Sequence, residues 1–281
     1  MLKYLTYLLI SEILFHPISG GAEYVELYNN SDNPIALTNI RLAKAKDNQL
    51  TTLYPISNNY QIAPHDYVVI TTDAAWLTTT YTTQYPNKVI EVNSMPKLGN
   101  EHGSVIIATI DSTIIDKLDY SQSMHSPLLR DNIGVALERR SFKIPTQQPN
   151  NWYSAASTCG YGTPTYRNSQ STEHLYLEND FVLSSEIFSP DGDGYQDELE
   201  ISYQLQHPDL NANITIFDAH GRKIKQLLNN ATLGTHGHIK WNGTNQNGSI
   251  CPRGNYFIII EAYNYAGIKQ ITKKSVTLIL R

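Results

Sequence analysis

The chain has 281 residues, 41% hydrophobic and 17% charged, with a formal net charge of −5, a globular composition with room for one or two domains that sets disorder aside. That acidic balance, without any stripe of Lys and Arg interleaved with aromatics, argues against a direct nucleic-acid partner. The 19 tyrosines against three methionines, amid abundant Thr, Asn and Ser, favour strands joined by polar turns, so the expected fold class is all-β.

Met1-Leu2-Lys3 followed by an apolar run through Ile10 has the opening of a signal peptide. No small-residue cleavage site follows, and the run passes into Ser11-Glu12-Ile13-Leu14-Phe15, so a strand near residues 7 to 15 is the preferred reading. The run is too short to span a membrane. Residues 23 to 28 alternate strictly, with Val25 and Leu27 on one face and Tyr24, Glu26 and Tyr28 on the other. This predicts a half-buried strand closed by the turn at Asn29–Pro34. Further strands are expected at 35–42 and 67–71, then a short helix over Ala74-Ala75-Trp76-Leu77 capped by Asp73, then strands at 104–110, 114–120 and 134–139. Short strands separated by turn signals predict a sandwich rather than a parallel sheet. The composition turns to Pro, Gln, Asn and Gly from Pro145, and a linker is expected at 168–180.

Ser11-Glu12-Ile13-Leu14-Phe15, Glu23 to Asn29, Gly134 to Arg139, and Asn151-Trp152 ahead of Gly160-Tyr161-Gly162-Thr163-Pro164 together resemble the bacterial lamin-tail domain family over about residues 8 to 167. That resemblance implies an immunoglobulin-like β-sandwich and no enzyme. The order of Leu199–Leu205, Asn213–Asp218, Gly237–Gly243 and Gly254–Ala262 is similar to the immunoglobulin-like module of the flagellar hook-capping protein. It also resembles the C-terminal gliding-motility and type IX sorting modules of secreted Bacteroidetes proteins, over about residues 181 to 281, and the closing Lys273–Arg281 resembles the end of a type IX sorting domain. The expected architecture is two immunoglobulin-like sandwiches in tandem with one short helix in the first, spanning 1–167 and 181–281.

Ser189-Pro190-Asp191-Gly192-Asp193-Gly194-Tyr195-Gln196-Asp197-Glu198 is the densest acidic stretch. Asp191, Asp193 and Asp197 take positions one, three and seven of a calcium-loop spacing, with the Tyr195 carbonyl at five and Glu198 following. Gln196 at six and Ser202 at twelve depart from the EF-hand pattern, so the expected site is a looser Ca²⁺ loop that stiffens the interdomain junction. The same residues also make a domain-opening turn, because Asp, Gly and Pro dominate turns for local reasons.

Other candidates weaken on their registers. His236 and His238 share a strand face, but core register for Ile239 and Trp241 sends both outward with Lys240, giving a solvated face. Lone His16, His65, His102 and His125 read as loop residues. Glu23 and Glu26 lie at odd spacing on opposite faces and cannot act on one substrate, which leaves Glu26 as a polar-face residue. Trp152 and Trp241 read as packing anchors, while Trp76 is a possible sugar platform. Cys159 and Cys251 are too far apart in sequence to indicate a disulfide framework. No Gly-x-Ser-x-Gly elbow, His-Glu-x-x-His helix or phosphate-binding Gly-Lys loop is present, so no catalysis is expected. The functional expectation is an interaction, adhesion or assembly region of a secreted or cell-surface bacterial protein, with a protein or surface component as partner. Alternatives are an accessory region of a secreted hydrolase, such as a nuclease or phosphatase, or a glycan-binding module.

Overall fold

The computed structural model describes residues 7–46, 49–56, 59–173 and 180–279. The expected linker 168–180 falls partly outside them. The chain divides into two compact units, Met1–Glu173 and His174–Arg281.

The first unit contains β1 (Leu8–Leu14), β2 (Tyr24–Asn29), β3 (Ile35–Ala36), β4 (Ile40–Lys46), β5 (Gln49–Pro55), β6 (Gln61–Ile62), β7 (Tyr67–Thr71), α1 (Ala74–Thr80), β8 (Val89–Glu91), β9 (His102–Thr109), β10 (Ile114–Ser121), β11 (Leu137–Arg139) and β12 (Trp152–Ser154). A six-stranded sheet in the order β12-β11-β1-β2-β7-β8 faces a four-stranded sheet in the order β10-β9-β4-β5, with a β3-β6 ribbon beside them. Alternate residues of both sheets, among them Ile13, Leu27, Val68, Ile107 and Leu118, meet in one apolar core, each burial worth about 1.5–3 kcal/mol. β7 and β8 pair in parallel, Val69 opposite Val89, which a tight hairpin cannot accomplish. Helix α1 lies in the crossover between them, started by Asp73, whose side chain accepts from the Trp76 amide at 2.8 Å.

The structure departs from expectation at three points. The 35–42 strand is broken into β3 and β4 by a turn in which the Ile40 amide reaches the Leu37 carbonyl at 3.0 Å. β2 is not half-buried: Tyr24, Val25, Glu26 and Leu27 are all buried, because α1 and the chain from Ala155 onward cover the second face of the six-stranded sheet. Leu14, Tyr24, Val69, Leu77, Tyr81, Ala136 and Ala155 form an apolar cluster there. Finally, residues 168–173 are not linker. Asn168 and Gln170 are buried, with Asn168 Nδ2 donating to the carbonyls of Ser11 at 3.0 Å and Arg139 at 2.9 Å and Gln170 Nε2 donating to that of Ser154 at 3.0 Å.

The second unit contains β13 (Asp180–Leu183), β14 (Ile187–Phe188), β15 (Leu199–Gln204), β16 (Leu210–Asp218), β17 (Lys223–Leu233), β18 (His236–Trp241), β19 (Gly254–Tyr263) and β20 (Lys269–Leu278). Sheets in the orders β13-β15-β18 and β14-β20-β19-β16-β17 enclose a core built by strict alternation, as in β16, where Leu210, Ala212, Ile214 and Ile216 point inward. Trp241 sits at its centre, 5.1 Å from the Phe188 ring and 5.2 Å from the Tyr256 ring, its indole N–H donating to the Thr244 carbonyl at 2.9 Å.

Candidate functional site

The acidic stretch forms the connection between β14 and β15, so two strands of the second unit precede it and it is not the turn that opens the module. Its ends are held by Phe188 and Leu199, both fully buried. Between them the chain curls through left-handed conformations at Gly192 (φ 80°), Gly194 (φ 88°) and Gln196 (φ 57°), which glycine adopts without steric cost. The curl turns amides inward. Asp197 accepts from the Gly192 amide at 2.6 Å and the Gly194 amide at 2.8 Å, and Asp193 accepts from the Tyr195 amide at 2.8 Å. Asp191 accepts from the Ser189 hydroxyl at 2.7 Å.

One carboxylate oxygen from each of Asp191, Asp193 and Asp197 lies within 4.8 Å of the others. Calcium binds oxygens at about 2.3–2.6 Å, so ligands on opposite sides of the ion stand up to about 5 Å apart. The three aspartates therefore fit a hard divalent cation in donor type and in spacing. Glu198 stands apart from this group, its carboxylate 2.8 Å from Lys240 Nζ. The Tyr195 side chain is exposed.

A second cluster of carboxylates lies in the first unit. Glu12 is opposite Glu138 on one side and Glu26 on the other, so the three side chains form a row across β11, β1 and β2. All three are 0% exposed. The segment 161–171 lies over them and supplies donors: the Thr163 amide to Glu12 at 3.0 Å, the Thr165 amide to Glu26 at 2.6 Å, and the Ser169 hydroxyl and Gln170 amide to Glu138 at 2.7 and 2.9 Å. From within the sheet, the Tyr24 hydroxyl donates to Glu12 at 2.5 Å. Burial, with the charge of Glu138 adding to it, pushes the Glu12 carboxyl up to about 8. Burial likewise raises Glu26, reinforced by Glu12, and it raises Glu138. Glu26, expected to be a polar-face residue, is thus part of a buried row. A charged residue in the middle of each of three apolar strands was the available signal, but the register that aligns them cannot be read from the chain.

The remaining candidates fall outside both clusters. His236 and His238 line an open concavity of about 490 Å³ on the outer face of the three-stranded sheet, beside Asp180, Glu200 and Ser202. His125 is buried, its Nδ1 2.9 Å from the Ser154 hydroxyl. Glu23 accepts from the Leu98 amide at 2.9 Å. Trp76 packs edge-on to Tyr81 at 5.8 Å and covers Gly21, so it is held by packing. Cys159 and Cys251 are both free. Among the described residues no helix is long and apolar enough to cross a membrane.

The tandem sandwiches and the glycine-aspartate loop of the second define a modular β protein. Residues 5–122 match the family model of the lamin tail domain, and residues 182–278 match that of the CHU_C type IX secretion signal domain. The chain thus carries a lamin tail domain followed by a type IX secretion-associated domain, both non-catalytic modules. β11 and β12, which complete the six-stranded sheet, lie beyond the first match.

Among solved structures, FlgD from P. aeruginosa is similar at 16% identity over 37% of this chain and 78% of that one, with a TM-score of 0.26. Latent PorU from Porphyromonas gingivalis matches at 12% identity over 100% of this chain, and PorZ, a surface component of the type IX secretion system of the same bacterium, at 13% over 96%, each with a TM-score of 0.29. This chain spans 21% and 30% of those two larger proteins. Superpositions this loose equate no residue of this chain with one of theirs. No curated protein matches the sequence.

Proposed function

We propose that this chain is a non-catalytic interaction or assembly region of a protein exported to the bacterial cell surface, with the second module serving as its export address. The match of residues 182–278 to a secretion signal domain carries this reading. The lamin tail sandwich is then the exported part, and it presents its loops and strand edges to a protein or surface partner. Its strands are buried on both faces at β1 and β2, which suits a rigid display platform. In the second module Asp191, Asp193 and Asp197 bind calcium and stiffen the β14–β15 loop, a weak site of the kind that functions at millimolar extracellular calcium.

The test is localisation of the full-length product in a bacterium with an active type IX system. Surface or medium localisation that is lost on deleting residues 182–278 supports the proposal. Retention of the intact chain inside the cell, or export that ignores the deletion, overturns it.

A further inference from the structure

Thr163 Oγ1 lies 2.9 Å from Glu12 Oε2 and 2.7 Å from Glu138 Oε1. Both distances are those of good hydrogen bonds, yet a hydroxyl has a single proton to give. One of the two contacts must therefore be made by a proton that belongs to a carboxyl. The other oxygens of the pair are already acceptors: Glu12 Oε1 takes the Tyr24 hydroxyl and the Thr163 amide, and Glu138 Oε2 takes the Ser169 hydroxyl and the Gln170 amide. The extra proton is thereby confined to the Glu12–Thr163–Glu138 bridge. It either runs from Glu12 through the hydroxyl to Glu138 or in the reverse direction.

We infer that this bridge is a proton-operated clasp: one proton held between Glu12 and Glu138 across Thr163 fastens the 161–171 segment to the six-stranded sheet, and its loss releases that segment. The charges leave no other neutraliser in place. Among the described residues no Lys or Arg forms an ion pair with Glu12, Glu26 or Glu138, and the three-carboxylate group close enough for a shared cation is the Asp191 loop and not this row. Three ionised carboxylates side by side in a dry sheet face would repel one another and lack compensation. Glu26 sharpens the point, since among the described residues its Oε1 has no partner within hydrogen-bonding geometry, Ser11 being the side chain beside it.

The other groups facing the row do not titrate in its place. Tyr24 and Tyr67 on the sheet, Tyr81 after α1 and Tyr166 in the covering segment are all raised above the ordinary tyrosine range, burial being the first cause, and the Cys159 thiol is pushed up to about 12. All stay neutral between pH 6 and 9. Arg167 stays cationic, donating to the Ser171 carbonyl at 3.4 Å, and Glu173 is tied to Lys143 at 3.4 Å.

The sign follows from linkage. The docked carboxyl holds its proton up to about 8, whereas a freed one lets it go near the ordinary glutamate value of 4.5. The docking equilibrium therefore weakens about tenfold per pH unit between those values and levels off above them. The covering segment ends two residues before the last residue of the first unit, Glu173.

Hydrogen exchange on the full chain tests this, with second-unit amides as the internal reference for base catalysis. Protection of the Thr163, Thr165 and Gln170 amides is expected to fall about 50-fold from pH 6 to pH 8 relative to that reference. In Glu138→Gln the amide nitrogen stands where the bridging oxygen was and donates permanently to Thr163, so the fall is expected to shrink to about tenfold or less. Infrared spectra of the wild type should show a protonated carboxyl at pH 7 that is gone by pH 9.5, and this reading needs no variant. pH-independent protection, an equal fall in Glu138→Gln, or no protonated carboxyl at pH 7 would each overturn the inference.

Discussion

Arg139 and Asp116 meet inside the first sandwich at 3.5 Å, an ion pair between β11 of one sheet and β10 of the other. Both are almost wholly buried, and both are otherwise satisfied: Arg139 donates to the carbonyls of Ile10, Ser141 and Ile144, and Asp116 accepts from the Ile10 amide at 2.9 Å and the Thr146 hydroxyl at 2.5 Å. The pair therefore ties the sheets together through backbone as well as charge. Removing one partner leaves a buried charge without its complement, which costs about 3–5 kcal/mol. Asp116→Ala is expected to lower the stability of the first unit by that amount in urea titration. The double variant Asp116→Leu/Arg139→Met should lose less than the sum of the two single changes, because it leaves no orphan charge.

The tandem sandwich, the short helix and the core register of Trp241 were legible because alternation and turn residues are local signals. The acidic loop was legible for the same reason, since Asp191, Asp193 and Asp197 are gathered by the curl of their own backbone. The buried row was not. Glu12, Glu26 and Glu138 become neighbours only through antiparallel pairing across three strands, and their burial depends on a segment more than 20 residues further along the chain from Glu138. The same blindness placed a linker over Asn168 and Gln170: polar residues read as solvated when their partners, the Ser11, Arg139 and Ser154 carbonyls, are distant in sequence.

Gly21 tests how Trp76 is held. A Cβ at this glycine would fall 2.3 Å from the Trp76 ring, so Gly21→Ala is expected to displace the indole and destabilise the first unit by about 1–3 kcal/mol. Gly20 has φ 81° but nothing within 4 Å, so Gly20→Ala should carry only the backbone penalty, about 1–2 kcal/mol, without moving Trp76. Tryptophan emission read alongside thermal unfolding separates the two: a red shift is expected for Gly21→Ala and none for Gly20→Ala.

Calcium at about tenfold over its dissociation constant should stabilise the second unit by about 1.4 kcal/mol, a rise of about 6 °C in melting temperature for a domain of about 100 residues. Asp193→Ala removes a member of the three-carboxylate group and is expected to abolish the rise. Glu198→Gln breaks only the pair with Lys240 and is expected to preserve it. Calorimetry with calcium and with chelator decides the matter; matching transitions under both conditions would reduce the loop to a turn.

His125 gives the first unit an acid limb of opposite sign to the glutamate row. Burial, with His16 nearby, pulls its imidazole down to about 4 from the ordinary 6.5. The unfolded chain therefore takes up a proton there that the folded chain refuses, and stability is lost as pH falls from about 6.5 to 4, by about 3 kcal/mol at the bottom of that window. Glu12 does the reverse, since its raised carboxyl makes the fold lose stability as pH rises from about 4.5 to 8. The two effects oppose one another between about 4.5 and 6.5, but Glu26 and Glu138 are raised with Glu12, so stability is expected to fall only gently there. Above 6.5 only the glutamates act, and the decline is expected to steepen. In His125→Gln the acid limb disappears, and the steeper decline with rising pH should already hold from about pH 4.5. Urea midpoints at half-unit steps from pH 4 to 9 check this: a His125→Gln profile that stays parallel to wild type below pH 6.5 would show that this histidine does not set the acid limb.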